Sequence, residues 1–174
     1  MQRPKTSKAA ADHTQIINNA TIFISTGTGT TAPLICAAVY YILSYPAIHS
    51  TLRDEIRNAA TNVSELTMDL LNNMTYLKAV MTEAIRLYPP VAGTLPRLVP
   101  KGGVDICGQF IPEGTVVGVH HFATYRSARN FKYPEEFRPE RWLEGADGSG
   151  EFEGDCREAL QPFSVGPRKC IAYE

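Results

Sequence analysis

Apolar side chains recur at Leu77, Val80, Met81, Ala84 and Leu87, the three- and four-residue spacing of one helix face. This spacing predicts a helix over residues 76–87, stopped by Pro89-Pro90. Upstream, Asp12-His13-Thr14-Gln15 places an oxygen-bearing side chain three residues before a glutamine, the signature of a capping box. The long helix it opens is expected to be interrupted over 26–33 and to resume to about Leu43. Tyr45-Pro46 should end it, because the residue before a proline is pushed out of the helical region. Charges gathered on one side predict a second helix over 48–59. A short third is expected over 64–72, with Ser64 as its cap. Beyond Pro90 the pattern changes to Gly, Pro and β-branched residues, which predicts short strands over 93–98, 104–106 and 115–119. Gly102-Gly103 and Pro112-Glu113-Gly114 read as turns between them. Residues 133–162 are expected to be mostly irregular, with a mobile surface loop over 145–154. The sum, without repeats, is a mainly α fold with a small β-sheet.

Composition narrows the function classes. The chain has 174 residues, with 17 basic and 18 acidic side chains and a net charge of −1, so no nucleic-acid surface is expected. The longest apolar run covers 34–43, whereas a membrane-spanning helix needs about 20 residues; no spanning segment is expected. Residues 1–11 are basic and polar at their start and read as a disordered lead-in, neither signal nor anchor. Cys36, Cys107, Cys156 and Cys170 lie far apart with no C-x-x-C pair. That argues against structural zinc and a dense disulfide framework, and fits a reducing compartment. Sequons at Asn19, Asn62 and Asn73 read as chance matches in the absence of a signal peptide.

Chemistry concentrates near the end, in Phe163-Ser164-Val165-Gly166-Pro167-Arg168-Lys169-Cys170. Gly166 permits a tight turn, Arg168 supplies a cation that can fork onto a carboxylate, and Cys170 supplies a sulfur. These are the parts of a haem-thiolate loop, in which a thiolate holds iron and nearby amides tune it. The same octet also suits a buried structural thiol. Glu83 and Arg86, three apart on the predicted helix, share one face and can pair. If exposed, such a pair contributes under about 1 kcal/mol. Thr26-Gly27-Thr28-Gly29-Thr30-Thr31, taken alone, suits a plain loop.

Together with Phe137-Arg138-Pro139-Glu140-Arg141-Trp142 and Glu83-Ala84-Ile85-Arg86, these segments resemble the signatures of the cytochrome P450 family, in that family's order. The resemblance runs from about Ile16 to the end and takes in Leu87-Tyr88-Pro89-Pro90, Pro96-Arg97 and Leu160-Gln161-Pro162-Phe163. In texture the chain is most similar to fungal members that oxidise terpenoids or other secondary metabolites. The resemblance implies a haem-thiolate monooxygenase holding haem b, with Cys170 as the axial ligand of the iron. Phe163 and Gly166 would shape the ligand loop, and Arg168 and Arg97 would meet haem propionates; Arg97 alone equally suits a solvated strand position. Gly27 would open an oxygen groove in the central helix, and the Thr30 hydroxyl would hand on protons there. Glu83, Arg86 and Arg141 would form a buried structural lock behind the haem, outside the chemistry.

The same resemblance implies a lipophilic small-molecule substrate and electrons from NADPH through NADPH-cytochrome P450 reductase. The resemblance places full-length relatives on the endoplasmic reticulum through an N-terminal helix that this chain is expected to lack, so the fragment itself is expected to be cytoplasmic or of unknown location. Residues 12–174 are expected to be a partial P450 domain, from the central helix to the Cys loop. The N-terminal half and the helix after that loop would be missing. Three positions depart from the family pattern: Gly29 stands where an acid relays protons, Pro33 where the helix resumes, and Ala172 where a glycine is expected. Two other readings follow, an inactive truncated fragment without productive haem, and a haem-thiolate isomerase or dehydratase that needs no proton relay.

Overall fold

The computed structural model describes residues 12–143 and 150–173. Among the described residues five helices and four short strands follow one another: α1 (His13–Ser44), α2 (Pro46–Ala59), α3 (Met68–Asn73), α4 (Thr75–Leu87), β1 (Arg97–Leu98), β2 (Val104–Ile106), β3 (Gln109–Ile111), β4 (Val116–Val117) and α5 (His121–Tyr125). Short 3-10 turns at Val63–Glu65, Pro139–Trp142, Arg157–Ala159 and Gly166–Arg168 punctuate the rest. The expected lead-in over 1–11 lies outside the described residues.

α4 is the axis of the fold. Its Val80 and Ala84 are fully buried, meeting Ala38 of α1, Ile48 and Leu52 of α2, and Phe137. Tyr41 of α1 stacks on Phe137 with ring centroids 4.6 Å apart. Each such fully buried aliphatic or aromatic side chain stabilises by about 1.5–3 kcal/mol, and this cluster holds three helices together. Glu55 of α2 binds the open end of α4, accepting hydrogen bonds from the amides of Tyr76 and Leu77, both at 2.8 Å. Those amides are the donors a helix start leaves unpaired.

Four local expectations need correcting. α1 runs unbroken through 26–33, with Pro33 inside it. The hydroxyls of Thr21, Thr26 and Thr30 each donate to the carbonyl four residues back, so these polar residues fold into the helix rather than opening it. As a result α1, at 32 residues, is long and apolar enough to cross a membrane by length and composition alone, contrary to expectation. Its later half nonetheless packs in the protein core, where Ala37 and Ala38 are buried. Asp12 does stand at the N-cap, but its side chain makes no cap hydrogen bond. The cap of α3 is Thr67, whose hydroxyl oxygen accepts from Leu70 N–H at 3.2 Å, and Ser64 lies in the preceding 3-10 turn.

The strands form two separate antiparallel pairs. β1 meets β4 with Arg97 opposite Val117, and β2 meets β3 with Val104 opposite Ile111. Sequence patterning passed over β3. Cys107 (φ 53°) and Gly108 (φ 77°) form a two-residue turn with both φ positive, the geometry that suits a hairpin. Asp105 accepts the Gly108 amide at 2.9 Å. α5 was likewise passed over. Of the expected loop over 145–154, residues 144–149 lie outside the described residues. Gly150 begins a turn in which Phe152 is buried.

Candidate functional site

Residues 161–170 form a loop closed on itself. Cys170 N–H donates to the Phe163 carbonyl at 2.8 Å, Lys169 N–H to Gly166 at 3.0 Å, and Ser164 N–H to Gln161 at 3.0 Å. Gly166 takes φ 74° and Ser164 φ 60°, a left-handed region that favours glycine and is uncommon for serine. The amides of Lys169 and Cys170 are thus engaged in closing the loop. Cys170 itself is exposed and free.

The loop brings Cys170 to a cavity of about 210 Å³ whose walls include Thr30, Thr31, Leu34, Val91, Phe163 and Cys170. Two segments far apart in sequence, the Thr/Gly stretch of α1 and the Cys loop, therefore face one space. Its lining is apolar apart from the thiol and the two threonine hydroxyls. That donor set, a single soft sulfur in an apolar slot, fits haem and suits hard cations poorly. Thr30 Oγ1 donates to the Thr26 carbonyl at 2.7 Å. A Cβ at Gly27 or Gly29 would meet nothing within 4 Å, so packing within this chain does not call for glycine at either place. A larger cavity of about 450 Å³, bordered by Trp142, Gly166 and Lys169, includes neither Thr30 nor Cys170 in its lining, so the smaller one is the candidate site.

The two candidate arginines lie apart from this cavity. Arg97 is exposed and its Nη2 donates to Ser164 Oγ at 3.4 Å, so it touches the Cys loop from the side of β1. It lines a neighbouring space of about 380 Å³ with Ser164 and His121. Arg168 is exposed at the end of the Gly166–Arg168 turn. Phe163 does line the cavity and packs on Tyr173, ring centroids 5.0 Å apart.

Behind the site, Glu83, Arg86 and Arg141 meet with no side-chain exposure. Arg86 donates to both Glu83 oxygens, at 2.9 and 2.8 Å, and Arg141 Nε donates to Oε1 at 3.0 Å. Carbonyls take up further N–H groups: Arg86 donates to Tyr125, Pro134 and Glu136, and Arg141 Nη2 to Lys132. Two members had not been anticipated. Trp142 donates its indole N–H to Glu83 Oε2 at 2.8 Å, and Asp155 pairs with Arg141 Nη1. With Asp155 the cluster holds two cations and two anions, the balance a buried group of charges requires. Trp142 follows Arg141 directly and was findable; Asp155 follows a glycine-rich stretch that carries no such signal.

Tyr125 links this region to the Cys loop, since its hydroxyl oxygen accepts the Gln161 N–H at 3.1 Å. Burial pushes the Tyr125 phenol up to about 12, with the Gln161 hydrogen bond opposing part of the rise.

A family model described as "Cytochrome P450" matches residues 1–171. Curated fungal relatives are similar along nearly the whole chain. The cytochrome P450 monooxygenase astJ of Aspergillus oryzae is 44% identical over 157 residues, covering 90% of this chain and 31% of that protein. The cytochrome P450 monooxygenase prhB of Penicillium brasilianum is 43% identical over 156 residues, 90% of this chain and 31% of its own length. The averantin hydroxylase of Dothistroma septosporum is 39% identical over 171 residues, 98% of this chain and 32% of its own length. The chain thus spans about a third of the length of the curated relatives it matches.

Proposed function

The chain belongs to the cytochrome P450 family, and from that premise we propose that it is the haem-thiolate part of a fungal-type monooxygenase. The observation that carries the reading is the shared cavity, in which Cys170 of the loop and Thr30 of α1 line one apolar space. Haem b, when bound with its iron on the Cys170 sulfur, supplies the redox chemistry that activates dioxygen. The chain's own residues hold and enclose. Phe163 and Val91 give the cavity apolar walls, and Gly166 sets the turn that presents the sulfur. Arg97 and Arg168 offer guanidinium forks to carboxylates at the loop's flank. The Thr30 hydroxyl, bonded to the Thr26 carbonyl, is one of two hydroxyls on the cavity wall, with Thr31, and would be the group that holds and passes a proton there. Gly29 puts no carboxylate beside it, and a positioned acid is typically worth about 10²–10⁴-fold, so proton delivery depends on water.

The overall reaction is RH + O₂ + NADPH + H⁺ → ROH + H₂O + NADP⁺. RH is a lipophilic, terpenoid-like substrate, and the electrons arrive through NADPH-cytochrome P450 reductase. Residues 12–174 act as one partial domain of the whole protein, which works on the endoplasmic reticulum membrane in the manner of its family. The test is incubation of the haem-loaded protein with reductase, NADPH, a terpenoid panel and ¹⁸O₂. Product carrying one ¹⁸O, formed only with NADPH, is expected. Conversion of a peroxide substrate without NADPH would point instead to an isomerase or dehydratase, the reading that Gly29 favours. No conversion of either kind would favour an inactive fragment.

A further inference from the structure

Two stacked rings tie the wall that carries Val91 to the loop that carries Cys170. His121 and Tyr125 stand one turn apart on α5, are 6% and 0% exposed, and stack at 5.2 Å with 14° between their planes. His121 Nδ1 lies 3.0 Å from the Val91 carbonyl oxygen. A carbonyl only accepts, so this nitrogen carries the proton. At the other ring, the Tyr125 hydroxyl holds the Gln161 amide, at the root of the segment that runs to Cys170.

Backbone contacts reinforce the first end. Phe122 N–H donates to Ala92 at 2.9 Å and His121 N–H to Gly93 at 3.4 Å, and Thr94 bridges His120. Gly118 lets this strand of chain come close: a Cβ there would lie 2.3 Å from Thr94 Cγ2 and 3.1 Å from the Leu95 carbonyl oxygen. Arg86 Nη1 also donates to the Tyr125 backbone carbonyl at 2.8 Å, so the pair touches the buried charge cluster through that carbonyl, while its own links to Val91 and to Gln161 run through the His121 ring and the Tyr125 hydroxyl.

We infer that His121 is a positioning residue that, through Tyr125, holds the Val91 wall and the Cys170 loop in one register across the cavity. Its chemical consequence rests on the reading of Cys170 as a haem ligand; its geometric content does not. The test is peptide-resolved hydrogen exchange on the full chain. His121→Phe keeps the ring stack and removes the donor to Val91, His121→Asn restores an N–H donor, and Tyr125→Phe keeps the ring and removes the acceptor for Gln161.

The loss of one buried hydrogen bond corresponds to about fivefold faster exchange. In His121→Phe this acceleration is expected in peptides covering both 91–95 and 161–170, with 83–86 and 139–142 as protected as in the wild type. His121→Asn should recover part of it in both segments. Acceleration confined to 91–95 would overturn the inference. If His121→Phe loosens the whole chain, Tyr125→Phe decides: faster exchange in both segments supports the coupling, and in 161–170 alone overturns it. In the haem-loaded protein, His121→Phe should lower the fraction of iron with a thiolate-type spectrum, and His121→Asn should restore it. A wild-type protein with no thiolate-type spectrum would sink the haem reading and leave the exchange result standing.

Discussion

Glu83 is the residue on which most of the buried polarity converges, accepting from Arg86, Arg141, Trp142 and the Arg138 amide. Glu83→Gln would leave two buried guanidinium groups facing one remaining carboxylate, that of Asp155. The expected cost is about 3–5 kcal/mol, read as a fall in denaturant midpoint with an unchanged slope. Arg86→Lys should be nearly as damaging, because an ammonium cannot fork onto both Glu83 oxygens and still reach the carbonyls of Tyr125 and Pro134. A denaturation curve within about 1 kcal/mol of wild type for either variant would mean that the cluster is open to water. Tyr125 gives a prediction with a sign. Its folded value, about 12, lies above the ordinary value of 10.0, so folding favours the neutral phenol. The associated stability is complete below pH 10 and is lost as pH rises through about 12. Thermal unfolding followed over that window should show the loss in the wild type and a smaller one in Tyr125→Phe.

Among the elements, α4 is the most informative. Its start is held by Glu55 from a different helix, so Glu55→Ala should cost about 1–2 kcal/mol, as removal of a cap does. The measurement is chemical denaturation, with Glu55→Gln, which keeps one acceptor, falling between the two. α4 is also where sequence was most readable: the spacing of Leu77, Val80, Met81, Ala84 and Leu87 marked its buried side directly, and its observed bounds, Thr75–Leu87, differ by one residue at the start. Legibility fell where local and long-range signals parted. Threonines and glycines over 26–31 have weak helix propensity, yet α1 continues through them, with the hydroxyls of Thr26 and Thr30 bonded back to carbonyls of the same helix. Asp155 and Glu55 act across 14 and 21 residues on Arg141 and Tyr76, and no spacing rule reaches that far. Ser64 and Thr67 are equally good caps by type; the 3-10 turn at Val63–Glu65 decided between them. At the site, the types of Cys170 and Thr30 were legible from sequence, but their relation to one cavity became visible only once α1 and the Cys loop were placed.

The molecule as a whole joins three parts around one space: α1 with Thr30, the Val91 segment held by α5, and the loop closed from Phe163 to Cys170. The buried charge cluster sits behind them and fixes α4 against the Pro139–Trp142 turn. All of this has chemical meaning only if the exposed sulfur of Cys170 takes iron. The direct measurement is the reduced, carbon-monoxide difference spectrum of the chain reconstituted with haem, beside Cys170→Ala. A Soret band in the thiolate-ligated position in the wild type, abolished in Cys170→Ala, is the predicted result. The band of a nitrogen-ligated or free haem in the wild type, or a thiolate-type band that survives in Cys170→Ala, would contradict it.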